Sequence, residues 1–262
     1  MNRAQLAELL TPADDAERRK LLAQYAELAD VSLAWALKSH YDAIESSDPA
    51  QAAQVSTALS ALSQIATHTE VNAIANWTEG LVVLDAGQIE DAIAYLDVAE
   101  AQFAQTNQAL WAANTQVSKL RALAMSGHYD DALDCGEKAR AVFQSHDDFL
   151  ATGKIEQNLG NIHFMCDRYL DAEHLYRQAR THFEITGDPK QLAQIDNCLA
   201  TTLTSQHRFH EADAIYEQAR TRAEAAGLEV TQAEIETNQG CLALFQGHFD
   251  RALDYLERSR RR

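Results

Sequence analysis

Three prolines serve the whole of this 262-residue chain, and glycine numbers only 10. Such poverty in helix breakers excludes collagen-like and proline-rich architectures, and no Gly/Ser/Pro-rich spacer divides one segment from the next. Cysteine is equally sparse. Cys135, Cys166, Cys198 and Cys241 lack the close pairing of zinc ligands or of a disulfide framework, so they read as buried thiols packed as small apolar groups. No apolar run approaches the roughly 18 residues that span a bilayer, and no hydrophobic signal region follows Arg3, so the expectation is a cytoplasmic protein without membrane contact. Positive charge is also short: 22 basic residues face 39 acidic ones, a formal net charge of −17. A groove for phosphate backbone needs a positive field, which argues against nucleic acid as a partner. The one basic cluster, Arg258, Arg260, Arg261 and Arg262, complements the negative end of a last helix.

Catalytic signatures are missing as well. There is no phosphate loop, no strand-flanked glycine fingerprint and no Gly-x-Ser-x-Gly elbow. His163, Cys166, His174 and His182 fall close together, but not with the short paired spacings that make a closed metal site. The chain is therefore expected to be no enzyme, with no catalytic residue, no metal and no cofactor.

What is present is a repeat. Alanine recurs at 52, 92, 132, 172, 212 and 252, always 40 residues apart. Twelve residues before these stand His40, Gly80, Leu120, Gly160, Ala200 and Gly240, small in four of six cases. A small residue before a turn and an alanine after it let two antiparallel helices cross closely. The punctuation between them fits, as in Ser126-Gly127-His128-Tyr129 and Gln246-Gly247-His248-Phe249, where a left-handed cap ends the first helix. Apolar residues then recur at helical spacing, for example Leu175, Tyr176, Ala179 and Phe183. The repeat unit is a helical hairpin, and residues 31–262 hold six of them.

Residues 1–30 stand outside the repeat and read as an N-terminal capping region. Thr11 is expected to cap a helix whose first residue is Pro12, with Asp14 and Asp15 at the positive end of its dipole and Leu21, Leu22, Tyr25 and Leu28 as its apolar stripe. At the other end, the second helix of the sixth repeat carries Leu253 and Leu256 with no polar helix after it. A solenoid needs a cap there. The expectation is a longer natural chain, or self-association through this uncapped helix.

At Leu159-Gly160, Ala172, Tyr176 and Ala179, and again at Leu199-Ala200, Ala212, Tyr216 and Ala219, the chain resembles the tetratricopeptide repeat (TPR) family, in a variant with a 40-residue period. The stretches Thr115–Leu120, Lys154–Asn161 and Gln191–Asn197 also look like the N-terminal repeat arrays of large bacterial proteins that end in a caspase-like CHAT protease domain. The resemblance implies an all-α fold, a right-handed superhelical solenoid of antiparallel hairpins. It implies an interaction scaffold that binds a peptide or protein segment in a concave groove lined by the first helices. The alternative it offers is a regulatory or sensor arm of a longer bacterial effector, with an attached C-terminal domain as the partner.

Carried onto this sequence, the groove positions give Trp77, Asn114, Arg121, Lys154, Gln157, Asn161, Phe164, Gln194, Asn197 and Thr201 as partner-binding residues. Asn and Gln carry both donor and acceptor, so they can read peptide amides or bridge neighbouring repeats. Trp77 and Phe164 are candidate apolar anchors, and Arg121 and Lys154 candidate holders of a partner carboxylate. Of the Lys/Asn/Arg clamp used by chaperone-tail-binding members of the family, only Asn161 is matched, which argues against a clamp for an acidic C-terminal tail.

Overall fold

The computed structural model describes all residues, 1–262, and every regular element in it is helical. After α1 (Arg3–Leu10) and α2 (Asp15–Gln24), a short 3-10 turn (Ala26–Leu28) leads into α3 (Val31–Ile44) and α4 (Pro49–Ile65). Then follow α5 (Thr69–Asp85), α6 (Ile89–Gln105), α7 (Ala109–Met125), α8 (Tyr129–Ser145), α9 (Phe149–Met165), α10 (Tyr169–Thr186), α11 (Pro189–Ser205), α12 (Phe209–Ala225), α13 (Glu229–Phe245) and α14 (Phe249–Arg261). Two compact units divide the chain, Met1–Val142 and Phe143–Arg262. Within each, successive helices pack as antiparallel hairpins, so the fold class is the all-α hairpin array expected.

The turns explain the regularity. From α5 to α13 each helix is 17 or 18 residues long, and one residue per turn adopts positive φ: Gly87, Asn107, Gly127, Asp147, Asp167, Gly187, His207, Gly227 and Gly247. These sit 20 residues apart, and all but His207 are of the types that tolerate the left-handed conformation. Each hairpin is thus two equal halves of 20 residues.

The recurring alanines are where the helices cross. Ala52, Ala92, Ala132, Ala172, Ala212 and Ala252 are all buried. Sixteen residues after each small site of the first helix comes a knob on the second: Leu96 fills the notch at Gly80, Tyr176 that at Gly160 and Leu256 that at Gly240. The third hairpin holds the pair in reverse order, Leu120 and Gly136. Around these contacts the first unit builds its core from Leu6, Leu10, Leu37, Tyr41, Leu62 and Phe103, and the second from Phe183, Ile195, Leu199, Leu203, Tyr216 and Ile235. Full burial of each such side chain contributes roughly 1.5–3 kcal/mol.

Under the hairpin contacts runs a second periodic feature, made of polar groups. Positions 76, 116, 156, 196 and 236 hold Asn, Gln, Glu, Asp and Glu. Four of them bond to the residue 26 positions later: Asn76 to Gln102 (3.1 Å), Glu156 to His182 (2.8 Å), Asp196 to Arg222, and Glu236 to Arg262 (3.0 and 3.1 Å). Position 142 is a valine, and Gln116 instead donates back to Glu100 at 2.7 Å. Buried carboxylates survive because each has a partner of the right kind.

The N-terminal region departs from expectation in one respect. Thr11 does not start a helix; it ends α1, fully buried, with its hydroxyl on Ala7 O at 2.8 Å. Asp14 caps α2 instead, accepting from the N–H groups of Ala16 and Glu17. An ionised carboxylate at the positive end of the dipole out-competes a hydroxyl that already has a carbonyl to bond. α1 then packs against α3.

Candidate functional site

In the second unit the first helices of three hairpins, α9, α11 and α13, each bury one stripe and leave another to solvent. On α9 the buried stripe is Thr152, Ile155, Leu159 and Ile162, which turns Lys154, Gln157, Asn161 and Phe164 to the other side. Lys154 and Asn161 are exposed; Gln157 and Phe164 are half-buried. On α11, Gln194, Asn197 and Thr201 are half-buried, above the buried Ala193, Ile195, Leu199 and Thr202.

Two amides of this face, Asn161 and Asn197, accept through their side-chain oxygens within the fold, whereas Gln157 and Asn238 donate. Tyr176 donates its hydroxyl to Asn161 Oδ1 at 2.8 Å. Asn238 donates from Nδ2 to Asn197 Oδ1 at 3.0 Å, a bridge between consecutive first helices. Thr201 donates to Asn197 O at 2.9 Å and shares a 3.0 Å bond with the Tyr216 hydroxyl. Burial pushes the hydroxyls of Tyr176 and Tyr216 above the usual phenol range, so both stay neutral donors. The Nδ2 groups of Asn161 and Asn197 remain for another acceptor. Gln157 donates from Nε2 to Cys198 Sγ at 4.0 Å, and burial pushes that thiol up to about 11. A thiol so far from ionisation is no activated nucleophile. Phe164 leans on Tyr169, with centroids 5.4 Å apart.

The electrostatics beneath this face are strongly paired. Asp196, with no exposed surface, takes hydrogen bonds from Arg180 Nε at 2.7 Å and from Arg222. Burial nonetheless raises its pKa, outweighing both guanidinium groups. Glu173 shows the opposite balance: burial pushes it up, but hydrogen bonds from Arg177 and Gln206 and the charge of Arg208 hold it below the ordinary value.

The expected residues of the first unit are placed differently. Trp77 is 8% exposed, its Nε1 donates to Ser118 Oγ at 2.9 Å, and the Lys38 ammonium sits 4.3 Å from its ring centroid. It is a structural ring, not an open anchor, because a buried cation and the next helix already cover it. Asn114 returns its Nδ2 to Leu110 O at 2.8 Å, and Arg121 pairs with Asp85 at 3.1 Å. The exposed indole here is Trp111, 39% exposed and 4.2 Å from Trp35, which donates to Glu70 at 2.8 Å. Neither Trp35 nor Trp111 falls on a groove position of the repeat; the signal that marks them is that the chain's three tryptophans lie on three successive first helices.

The histidine cluster does not converge. His182 bonds Glu156 at 2.8 Å and His163 lies 3.7 Å from Asp171, and no group of three or more His, Cys, Asp or Glu side chains is arranged to hold a metal ion. No helix is long and apolar enough to cross a membrane.

Similarity to known proteins agrees with the hairpins. Residues 191–262 match the tetratricopeptide repeat. No curated protein matches the chain by sequence. Among solved structures, the apo form of RapI is similar over 86% of this chain and 96% of its own, at 14% identity and a TM-score of 0.67. The Rap conjugation gene regulator of plasmid pLS20, solved in complex with the Phr* peptide, is similar over 91% of this chain and 74% of its own, at 17% identity and 0.65. BtubC (BKLC) from P. vanneervenii matches over 88% of both chains at 16% and 0.64. At these identities the likeness is one of fold.

Proposed function

We propose that this protein is an interaction module that binds a polypeptide segment along the face formed by α9 and α11. One observation carries the reading: Asn161 and Asn197 spend their carbonyl oxygens inside the fold and keep their N–H donors, on the same sides of α9 and α11 as Gln157 and Gln194. Donors in a row suit the backbone carbonyls of an extended segment without reading its side chains. Phe164 supplies an apolar wall, and Lys154, exposed at one end of the row, favours a segment with a carboxylate. Thr201 completes the row. A protein of the same fold, the pLS20 regulator, is solved with a peptide bound, which supports a peptide as the kind of ligand. The first unit is left out of this site: Asn114 and Arg121 are engaged with Leu110 and Asp85, and its open apolar ring is Trp111 rather than Trp77.

The second reading, a regulatory arm of a longer bacterial effector such as a CHAT-protease protein, uses the same face with an attached domain as its occupant. Support for it is the resemblance of Lys154–Asn161 and Gln191–Asn197 to such arrays. The test is calorimetric titration of the chain with segments recovered from a peptide array biased toward acidic sequences. Saturable binding lost on changing the α9 and α11 amides is the expected result. Binding that ignores those changes would remove the site from this face, and the absence of any binding segment would overturn the peptide reading.

A further inference from the structure

The periodic polar pairs of the hairpins change character at one place. In the fifth hairpin Asp196 lies between two guanidinium groups, that of Arg180, 16 positions earlier, and that of Arg222, 26 positions later; in the sixth, Arg262 takes the second place, on Glu236. The corresponding residues of the third hairpin are Gln116, Glu100 and Val142, so its two arginine positions hold an acid and an aliphatic side chain. Gln116 donates from Nε2 to Glu100 at 2.7 Å. An ionised carboxylate only accepts, so this bond fixes the amide with Oε1 turned away from Glu100. That oxygen is buried and accepts no hydrogen bond in the fold, an unfavourable state for a polar atom. Glu100 and Gln116 together line a cleft of about 370 Å³ between α6, α7 and α8, walled by Ala104, Ala112, Ala113 and Val142. Lys119, three residues further along α7, directs its ammonium to Asp97 instead.

We infer that this cleft receives the arginine side chain of a partner polypeptide, with one guanidinium N–H group going to Glu100 and another to Gln116 Oε1. The fold itself supplies the precedent, since a guanidinium occupies the matching place on Asp196 and on Glu236. The chemistry of the walls agrees. Alanine and valine methyl groups suit the aliphatic stem of arginine, and two acceptors carried by adjacent helices suit its planar fork of donors better than the point charge of an ammonium. The chain does not furnish this group itself, because the residue in register with Arg222 is Val142. A net charge of −17 draws a basic segment toward the molecule before contact. The cleft lies wholly within the first unit and is independent of the face proposed on α9 and α11.

The test is a heteronuclear NMR titration of the 262-residue chain with the blocked peptide acetyl-Ala-Arg-Ala-amide at physiological ionic strength, followed at the side-chain amide of Gln116. Saturable shifts centred on Gln116, Ala112 and Ala113 are the expected result. The citrulline counterpart of the peptide, which keeps the shape and loses the charge, is expected to bind about fivefold more weakly or worse. Glu100→Gln, at a half-buried position, is expected to weaken binding of the arginine peptide by about tenfold. Val142→Arg places a guanidinium where Arg222 has one, and is expected to abolish binding and to raise the melting temperature. No response at Gln116, equal affinity for the citrulline peptide, or full affinity in either variant would overturn the proposal. So would a melting temperature of Val142→Arg below that of the parent, since the cleft would then not accept a guanidinium. Helical circular dichroism on Glu100→Gln separates loss of the acceptor from loss of fold.

Discussion

The ring of Tyr176 fills the space that any side chain at Gly160 would need: a Cβ placed there would lie 2.5 Å from Tyr176 Cε1. Since a buried ring cannot give way at its root as the end of a flexible side chain can, Gly160→Ala is expected to destabilise by about 1–3 kcal/mol. Gly80→Ala faces the softer Leu96, at 3.0 Å, and is expected to cost less. Adding Tyr176→Leu to Gly160→Ala should recover part of the loss. Urea unfolding of the three variants checks the order, and equal midpoints for Gly160→Ala and the parent would contradict this packing.

A related expectation concerns Ala172, fully buried in the same hairpin. Its replacement by leucine overpacks the α9–α10 crossing and should cost about 1–3 kcal/mol. Thermal unfolding at or above the parental midpoint would show that the crossing lies elsewhere.

Much of this was legible in the residues themselves. Ala52 to Ala252 mark the crossings because only a small side chain fits there, and a steric requirement recurs at a fixed period. Gly87, Gly127 and Gly247 mark turns because the backbone demands it. Asn161 and Asn197 were recognisable as face residues, but their dual role was not, since Tyr176 and Asn238 claim their carbonyls only through tertiary packing. Nothing in the sequence marks Asp196, Glu156 and Glu236 as buried, because a carboxylate's burial depends on a basic or imidazole partner supplied from a neighbouring helix. Trp77 misled for a similar reason: an aromatic at a groove position opens to a ligand only when nothing in the fold covers it, and Lys38 does.

The pairing around Asp196 is predicted to be asymmetric. Arg180 and Arg222 are about one-third exposed, so removing the carboxylate lets both turn to water. Removing the arginines strands a buried carboxylate. Asp196→Asn should therefore be mild, whereas Arg180→Met with Arg222→Met should cost about 3 kcal/mol or more. Chemical denaturation of the two variants measures the difference, and equal losses would mean that the ion pairs themselves, not desolvation, govern this site.

Glu173 and Asp196 should oppose each other in acid. The folded pKa of Glu173 is depressed, so its contribution is present above the ordinary carboxylate range and is lost as pH falls through the folded value. Asp196 is raised, so its buried charge is a burden above the folded value, and protonation relieves it as pH falls toward the unfolded one. Melting temperature against pH should accordingly fall less steeply in acid for Glu173→Gln than for the parent. It should fall more steeply for Asp196→Asn, which removes the compensating gain. Parallel curves for all three proteins would refute the linkage.

For binding, the sharpest variants keep the fold's hydrogen bonds and delete only the donors offered outward. Asn161→Asp and Asn197→Asp do this, because an aspartate oxygen still accepts from Tyr176 or Asn238 while the N–H₂ group is gone. Stability should change little at Asn161, which is exposed. Affinity for a bound segment should fall by about 0.5–1.5 kcal/mol per lost hydrogen bond, and further where the new charge meets a peptide carbonyl. Lys154→Gln should flatten the salt dependence of binding, since it removes the one exposed cation of the row. Arg121→Glu, whose parent residue is held by Asp85 in the first unit, should leave affinity for a segment seated on α9 and α11 unchanged. Isothermal titration at two ionic strengths distinguishes these cases. Full affinity in both aspartate variants, with a loss at Arg121 alone, would move the binding face to the first unit and set Trp111, not Phe164, as its apolar contact.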